Sequence, residues 1–432
     1  TRRSSDLAQD QRALSDAQMN STNTLYDALG PVLGKYYKDA ADAGKLPKTA
    51  QFLSDMNKSA STGVAKATYQ HPRPYVDRVN FNGTTLNMNG LKQTLNIKKV
   101  PGYENFDWGD GEAPDNEYDG LYNSGSFPSG HTTFAFTQGA GLAYLLPELG
   151  PEIMTRVSEA GNNRIVLGVH YPLDIMGGHI AGQYGVATAV SGEKTAQEGA
   201  AARAELVDYL TAQCKADNHG DTLDACITNT GANAANGYRN DFTDEVSTKP
   251  VTDRASALAA YKARMTYGFQ ATGTTGQAPV VPDSAVRMFD NVAAFKSLDS
   301  AQKKAVLAAT EGDSGYPLDA SSQGWARVNL AAAYSAKVTL SADGKNVVKV
   351  EPGQAQASVV RETSGSNGNN GGNGNGGSNA GNTGVNNASG RNPSGTQPLS
   401  KTGADVSGIA SAFILIAAAG VTITMIRRKH AI

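Results

Sequence analysis

Two stretches of this chain, Phe134–Leu146 and Ile175–Val190, are almost wholly apolar, rich in Gly and Ala, and long enough for helices. Helices of that kind must be buried among others, and this constrains the fold more than any other feature. Residues 23–60 place Leu25, Leu29, Val32, Leu33 and Tyr36 at helical spacing. Alternating β-branched runs are scarce. Residues 1–200 therefore read as one mainly α domain, a helical bundle.

From 201 to 362 the pattern weakens into a mixed C-terminal extension. Ala200–Cys214, Ser256–Arg264 and Asp299–Thr310 are expected helices, and Val338–Val350 an expected β-hairpin turning at Asp343-Gly344. The extension is expected to pack on the first domain, with separate folding as the alternative. Residues 363–398 are nearly all Gly, Asn and Ser; with so little to bury, they read as a disordered stalk.

The charge balance, 38 Lys+Arg against 40 Asp+Glu, gives a formal net charge of -2 and argues against a nucleic-acid partner. Cys214 and Cys226 are the two cysteines. Outside a cell they would form a disulfide closing a short loop, contributing ~3 kcal/mol in the loop-entropy model.

An outside location is what the C-terminal end suggests. Val406–Ile426 has no charged residue and is long enough to span a hydrocarbon core of roughly 30 Å. Arg427, Arg428 and Lys429 follow at once, which keeps the tail cytoplasmic. Just ahead stands Leu399-Ser400-Lys401-Thr402-Gly403. Pentapeptide, apolar stretch and basic tail over residues 399–432 together resemble a Gram-positive cell-wall sorting signal of the LPxTG kind. The resemblance implies that a sortase cleaves between Thr402 and Gly403 and joins the chain to peptidoglycan. Ser400 stands where that family has Pro. Such a chain needs a signal peptide; residues 1–10 have no apolar core, so the expectation is of a chain already trimmed there.

Three short motifs carry the chemistry. In the first, Lys66 and Arg73 lie two helical turns apart, with Pro72 and Pro74 placing Arg73 just past a helix end. Two cations so close repel unless an anion sits between them; the bland reading is a solvated helix end. In the second, Pro128-Ser129-Gly130-His131 opens an apolar helix, whose first amides and the Ser129 and Gly130 N–H groups form a ready anion site. The bland reading is an ordinary cap. In the third, Arg164 and His170 flank an apolar stretch, and Asp174 lies four residues after His170. A carboxylate there can hold one imidazole nitrogen and leave the other as a nucleophile, or simply make a structural hydrogen bond.

Together these residues, Lys66-x6-Arg73-Pro74, the tetrapeptide 128–131 and Arg164-x5-His170-x3-Asp174, resemble the signature of the type 2 phosphatidic acid phosphatase (PAP2) superfamily. That family also holds bacterial class A acid phosphatases and vanadium haloperoxidases. The departure is Asn163, where the family has Ser. The resemblance, over about residues 60–178, implies a helical bundle of the PAP2/haloperoxidase type. It implies that Lys66, Arg73 and Arg164 neutralise a phosphoryl group, with Ser129 and Gly130 adding hydrogen bonds. It implies His170 as nucleophile, Asp174 as its orienting carboxylate and His131 as general acid and base. No metal or other cofactor is required.

The expected function is metal-independent hydrolysis of phosphorylated small molecules through a phosphohistidine at the cell surface. Alternatives are a vanadium-dependent haloperoxidase with vanadate in the same pocket, a phosphatase of lipid phosphates or isoprenoid diphosphates, and a structural wall protein. The acidic run Glu104–Asp119 does not fit a calcium loop and reads as a solvated lid. His71 reads as a bystander or substrate rim, His179 as packing; His219 and His430 carry no pattern.

Overall fold

The computed structural model describes residues 4–76, 97–231, 238–242, 250–319 and 322–363. The stalk from residue 364, the sorting pentapeptide with Thr402 and Gly403, and the 406–426 stretch lie outside the described residues. Among the described residues no helix is long and apolar enough to cross a membrane.

The fold is mainly helical, as its patterning predicts. Helices α1 (Ser4–Ala17), α2 (Ser21–Leu25), α3 (Pro31–Asp42), α4 (Pro47–Asn57) and α5 (Gly63–Tyr69) precede a short α6 (Glu117–Gly120). The centre is built from α7 (Gly130–Leu145), α8 (Gly150–Val166) and α9 (Pro172–Ala189). Then come α10 (Glu193–Ala216), α11 (Leu223–Thr230), α12 (Arg254–Thr266), α13 (Ser300–Thr310) and α14 (Leu330–Tyr334). The two apolar stretches are α7 and α9, buried on nearly every side. They lie so close that a Cβ on Gly182 would sit 2.4 Å from Phe136 Cβ. No larger residue fits there without parting the helices.

Helix α8 solves burial differently. It buries Glu152, Arg156, Glu159, Asn162, Asn163 and Arg164, which is tolerable only with partners. Its partners come from both before and after it in the chain. On one side Arg156 meets Asp16 and Asp27, and Arg12 meets Glu159. On the other Arg254 makes a two-pronged pair with Glu152 at 2.6 and 2.7 Å. Tyr238 donates to Glu159, and Arg264 to Ser158 Oγ at 3.1 Å.

One apolar core runs from Leu25 to Leu340, so side chains of the 201–362 segment share it with the central helices. Cys214 and Cys226 are disulfide-bonded, Cα–Cα 5.9 Å. The expected hairpin is present as β1 (Lys337–Leu340) antiparallel to β2 (Val347–Glu351). A third strand, β3 (Ser358–Arg361), pairs parallel to β1, giving the order β2-β1-β3. Its four residues are too short a run to stand out in sequence.

Candidate active site

The motif residues meet where α5, α7, α8 and α9 begin or end. Helix α5 stops at Tyr69, with Gln70 left-handed (φ 42°) as its C-cap. Arg73 is therefore carried by the segment beyond the helix, ahead of Pro74, rather than by a shared helical face. Its guanidinium is buried and held at both edges: Nε donates to Ser124 O at 3.1 Å, Nη2 to Ser124 Oγ at 3.3 Å and Nη1 to Val169 O at 3.2 Å. Lys66 Nζ donates to Gly125 O at 2.6 Å. Burial, then the nearby Arg73, push the Lys66 ammonium down to about 7; Arg73 itself is pushed down to about 10, chiefly by burial.

Helix α8 ends in a turn through Gly168 (φ 72°), a conformation open to glycine at little steric expense, and Val169 then leads into His170. Two partners define the His170 ring. Arg73 Nη1 lies 2.9 Å from Nε2, and Asp174 Oδ2 lies 3.1 Å from Nδ1. A guanidinium only donates and a carboxylate only accepts, so Nδ1 carries the proton and Nε2 keeps a lone pair. Because α9 starts at Pro172, His170 lies before the helix. Asp174, in its first turn, reaches back past the N-terminus, and Oδ2 also accepts the Tyr171 amide at 2.8 Å. Burial raises the Asp174 carboxyl to about 6, against hydrogen bonds and Arg73. Burial foremost, then Arg73, Lys66 and Arg164, hold His170 well below the usual imidazole range.

Arg164, in the last turn of α8, is buried. Nη2 donates to Tyr103 OH at 2.8 Å, and the guanidinium sits 5.4 Å from that ring's centre. Its Nε and Nη1 are buried without a hydrogen-bond partner among the described residues. Such donors are costly to leave unmade.

Ser129 caps α7: its Oγ accepts from Thr132 N at 3.2 Å and from Thr132 Oγ1 at 2.9 Å. One expectation is revised. The Ser129 N–H donates to Asp174 O at 3.0 Å, so that amide is committed to joining α7 to α9. The anion site at this helix start reduces to the Gly130 and His131 amides and the Ser129 hydroxyl proton. Gly130 is itself the first helical residue, so its amide is one of the orphan donors of the first turn.

His131 is buried, with Nε2 3.1 Å from Ala17 O. Burial, then Arg164, depress it well below the ordinary histidine range.

Several neighbours were not legible in sequence. Ser126 links the motifs: Nδ1 of His71 lies 2.9 Å from its Oγ, which also reaches Asp174 Oδ1 at 3.4 Å. His71 thus belongs to the surroundings of the site. The acidic run is two-sided: Glu104, Asp107, Asp110, Glu112 and Asp119 are exposed to solvent. Its aromatic residues turn inward, however, and Tyr103, Phe106 and Tyr118 join Ala13, Ala17, Leu167 and Val169 in a second apolar cluster. Trp108 Nε1 donates to the buried Glu117 at 3.0 Å and its ring lies 6.2 Å from His131. His179 stacks on Phe136, with Nε2 2.8 Å from Tyr261 OH, a packing role. A cavity of about 370 Å³ beside α12, reaching Arg327, includes none of the motif residues.

Comparison with known proteins agrees with the motif reading. Residues 50–196 match the family model of the PAP2 superfamily. An acid phosphatase of Zymomonas mobilis subsp. mobilis is 40% identical over 62 residues, which is 14% of this chain and 24% of that protein. A non-specific acid phosphatase of Providencia stuartii is 33% identical over 72 residues, 17% of this chain and 29% of the relative. The chain spans about a quarter of the length of these relatives. Over residues 50–196, then, this chain is similar to the PAP2 superfamily.

Proposed function

We propose that the chain is a phosphatase that hydrolyses phosphomonoesters through a phosphohistidine on His170, without a metal ion, at the surface of the cell. The observation that carries this reading is Arg164. Two of its buried donors have no hydrogen-bond partner among the described residues, and Arg73 and Lys66 lie within electrostatic reach of the same histidine. Three cations gathered on one nucleophilic nitrogen repel each other and are relieved by a phosphoryl dianion.

In the first step the Nε2 lone pair of His170 displaces Arg73 Nη1 and forms the N–P bond as the bond to the ester oxygen breaks. Lys66, Arg73, Arg164, the Ser129 hydroxyl and the Gly130 amide hold the equatorial oxygens, the part metal ions take in other phosphoryl-transfer sites. Asp174 stabilises the positive charge gained by the His170 ring. The departing oxygen takes a proton from His131. Burial and the nearby cations hold His131 well below the ordinary imidazole range, and the negative charge of the phosphoryl group favours its protonated form. A water then gives its proton back to His131 and its oxygen to phosphorus, releasing phosphate and neutral His170.

Hydrolysis of p-nitrophenyl phosphate tests this. Turnover is expected to survive EDTA and to vanish in His170→Ala; loss with EDTA, or persistence in the variant, overturns it. Bromide oxidation with vanadate and peroxide in place of hydrolysis would make the haloperoxidase the better reading. Surface display rests on the 399–432 resemblance. It predicts that whole cells hydrolyse an impermeant ester and that wall-digesting enzymes release the activity; activity confined to lysates contradicts it.

A further inference from the structure

The histidine assigned to proton transfer is held by a helix outside the matched region, and the following inference rests on the phosphatase reading. A carbonyl only accepts, so the Ala17 contact puts the His131 proton on Nε2 and leaves Nδ1 to exchange one. Ala17 ends α1, and the residue before it is clamped. Arg156 donates to both Asp16 oxygens, at 2.6 and 3.1 Å, and Asn163 Nδ2 donates to Oδ2 at 2.7 Å. Asp16 and Arg156 side chains are each 2% exposed. Both clamping residues belong to α8, the helix whose last turn supplies Arg164. Asn163 is also the one departure from the PAP2 signature. A serine hydroxyl there would end one bond nearer the backbone than the amide nitrogen that reaches Asp16.

We propose that Asp16 is a positioning residue for His131. Pinned by Arg156 and Asn163, it fixes the end of α1 on α8, so that the Ala17 carbonyl holds the His131 ring with Nδ1 reserved for the leaving group's proton. Asp16 touches neither substrate nor a reacting atom and acts through its neighbour's carbonyl. Asn163 is then the residue that fits the motif to this helix.

A mere staple between α1 and α8 would, when cut, slow every substrate alike. A positioning role has a different signature, because p-nitrophenolate leaves without a proton and an alkoxide does not. The experiment compares kcat/KM for p-nitrophenyl phosphate and glycerol 2-phosphate in the full chain and in Asp16→Ala, Asp16→Asn and Asn163→Ser. General acid catalysis contributes roughly 10²–10⁴-fold, so its partial loss in Asp16→Ala should slow the alkyl ester about 30-fold and the aryl ester no more than about threefold. Asn163→Ser should show the same selectivity at about fivefold. Equal losses on both esters, or no loss on the alkyl ester, overturn the proposal. If Asp16→Ala does not fold, the two milder variants decide. Ring ¹⁵N shifts of His131 in the unaltered chain give an activity-free check: protonated Nε2 supports the proposal and protonated Nδ1 overturns it. An unaltered chain that hydrolyses neither ester defeats the phosphatase reading, while the ring shifts still decide the geometry.

Discussion

One of the two partners that orient His170, Asp174, lies four residues along the chain, whereas the carbonyl that orients His131 lies 114 residues away. The two rings are also held in opposite tautomers. At His170 a donor-only guanidinium and an acceptor-only carboxylate leave Nε2 with its lone pair. At His131 a backbone carbonyl fixes the proton on Nε2 and leaves Nδ1. The carboxylate at His170 can stabilise the charge that attack on phosphorus creates; the carbonyl at His131 orients without lending a charge. Burial and the same three cations depress both rings, so the different roles proposed for them rest on hydrogen-bond partners and not on shared electrostatics.

The largest expected effect separates them directly. His170→Ala removes the bond-forming atom and should lower kcat by ~10⁴-fold or more for aryl and alkyl esters alike. His131→Ala should cost roughly 10²–10³-fold on glycerol 2-phosphate and under about tenfold on p-nitrophenyl phosphate. The reverse pattern would exchange the two roles.

Next comes the carboxylate. In Asp174→Asn the amide oxygen can still accept from His170 Nδ1 and Tyr171 N, while the amide nitrogen meets Ser126. Orientation is kept and charge is lost, so kcat should fall about 10²–10³-fold. An unchanged rate would mean that Asp174 only orients.

A smaller effect reads the cations. Lys66, pushed down to about 7 by burial and then Arg73, must be protonated to hold a dianion. Sulfate, a dianion throughout, should bind fully below that pH. Its affinity should weaken by up to about tenfold per unit above it, with one proton taken up on binding. Calorimetry at pH 6 and pH 9, in two buffers of different ionisation enthalpy, checks this; a flat affinity contradicts it.

The smallest effect on catalysis is a control. Reducing Cys214–Cys226, which touches neither ring, should lower stability by about 3 kcal/mol and leave kcat within about twofold.

The same contrast governs what the sequence made legible. The spacing of His170 and Asp174, the prolines beside Arg73 and the small cap before His131 are local signals, and the proposed phosphate chemistry rests on them. The two apolar helices were equally plain, since burial leaves its mark on composition. Ala17, Asp16, Tyr103 and Ser124 were invisible because each makes its contacts across a long stretch of chain, two of them through backbone carbonyls that any residue possesses. The Ser129 amide departs from the expected anion site for the same reason: its acceptor is the carbonyl of Asp174. What Asn163 does, likewise, depends on α1, which no motif spacing describes.

The central claim, that His170 Nε2 attacks phosphorus, is tested most directly by trapping the intermediate. His131→Ala should slow the water step more than attack by an aryl ester. That variant, mixed with p-nitrophenyl phosphate and quenched in alkali, is predicted to carry an acid-labile phosphoryl group on Nε2 of His170, located by mass spectrometry and ³¹P NMR. Phosphate found on another residue, or turnover with no phosphorylated histidine at any time point, would contradict it.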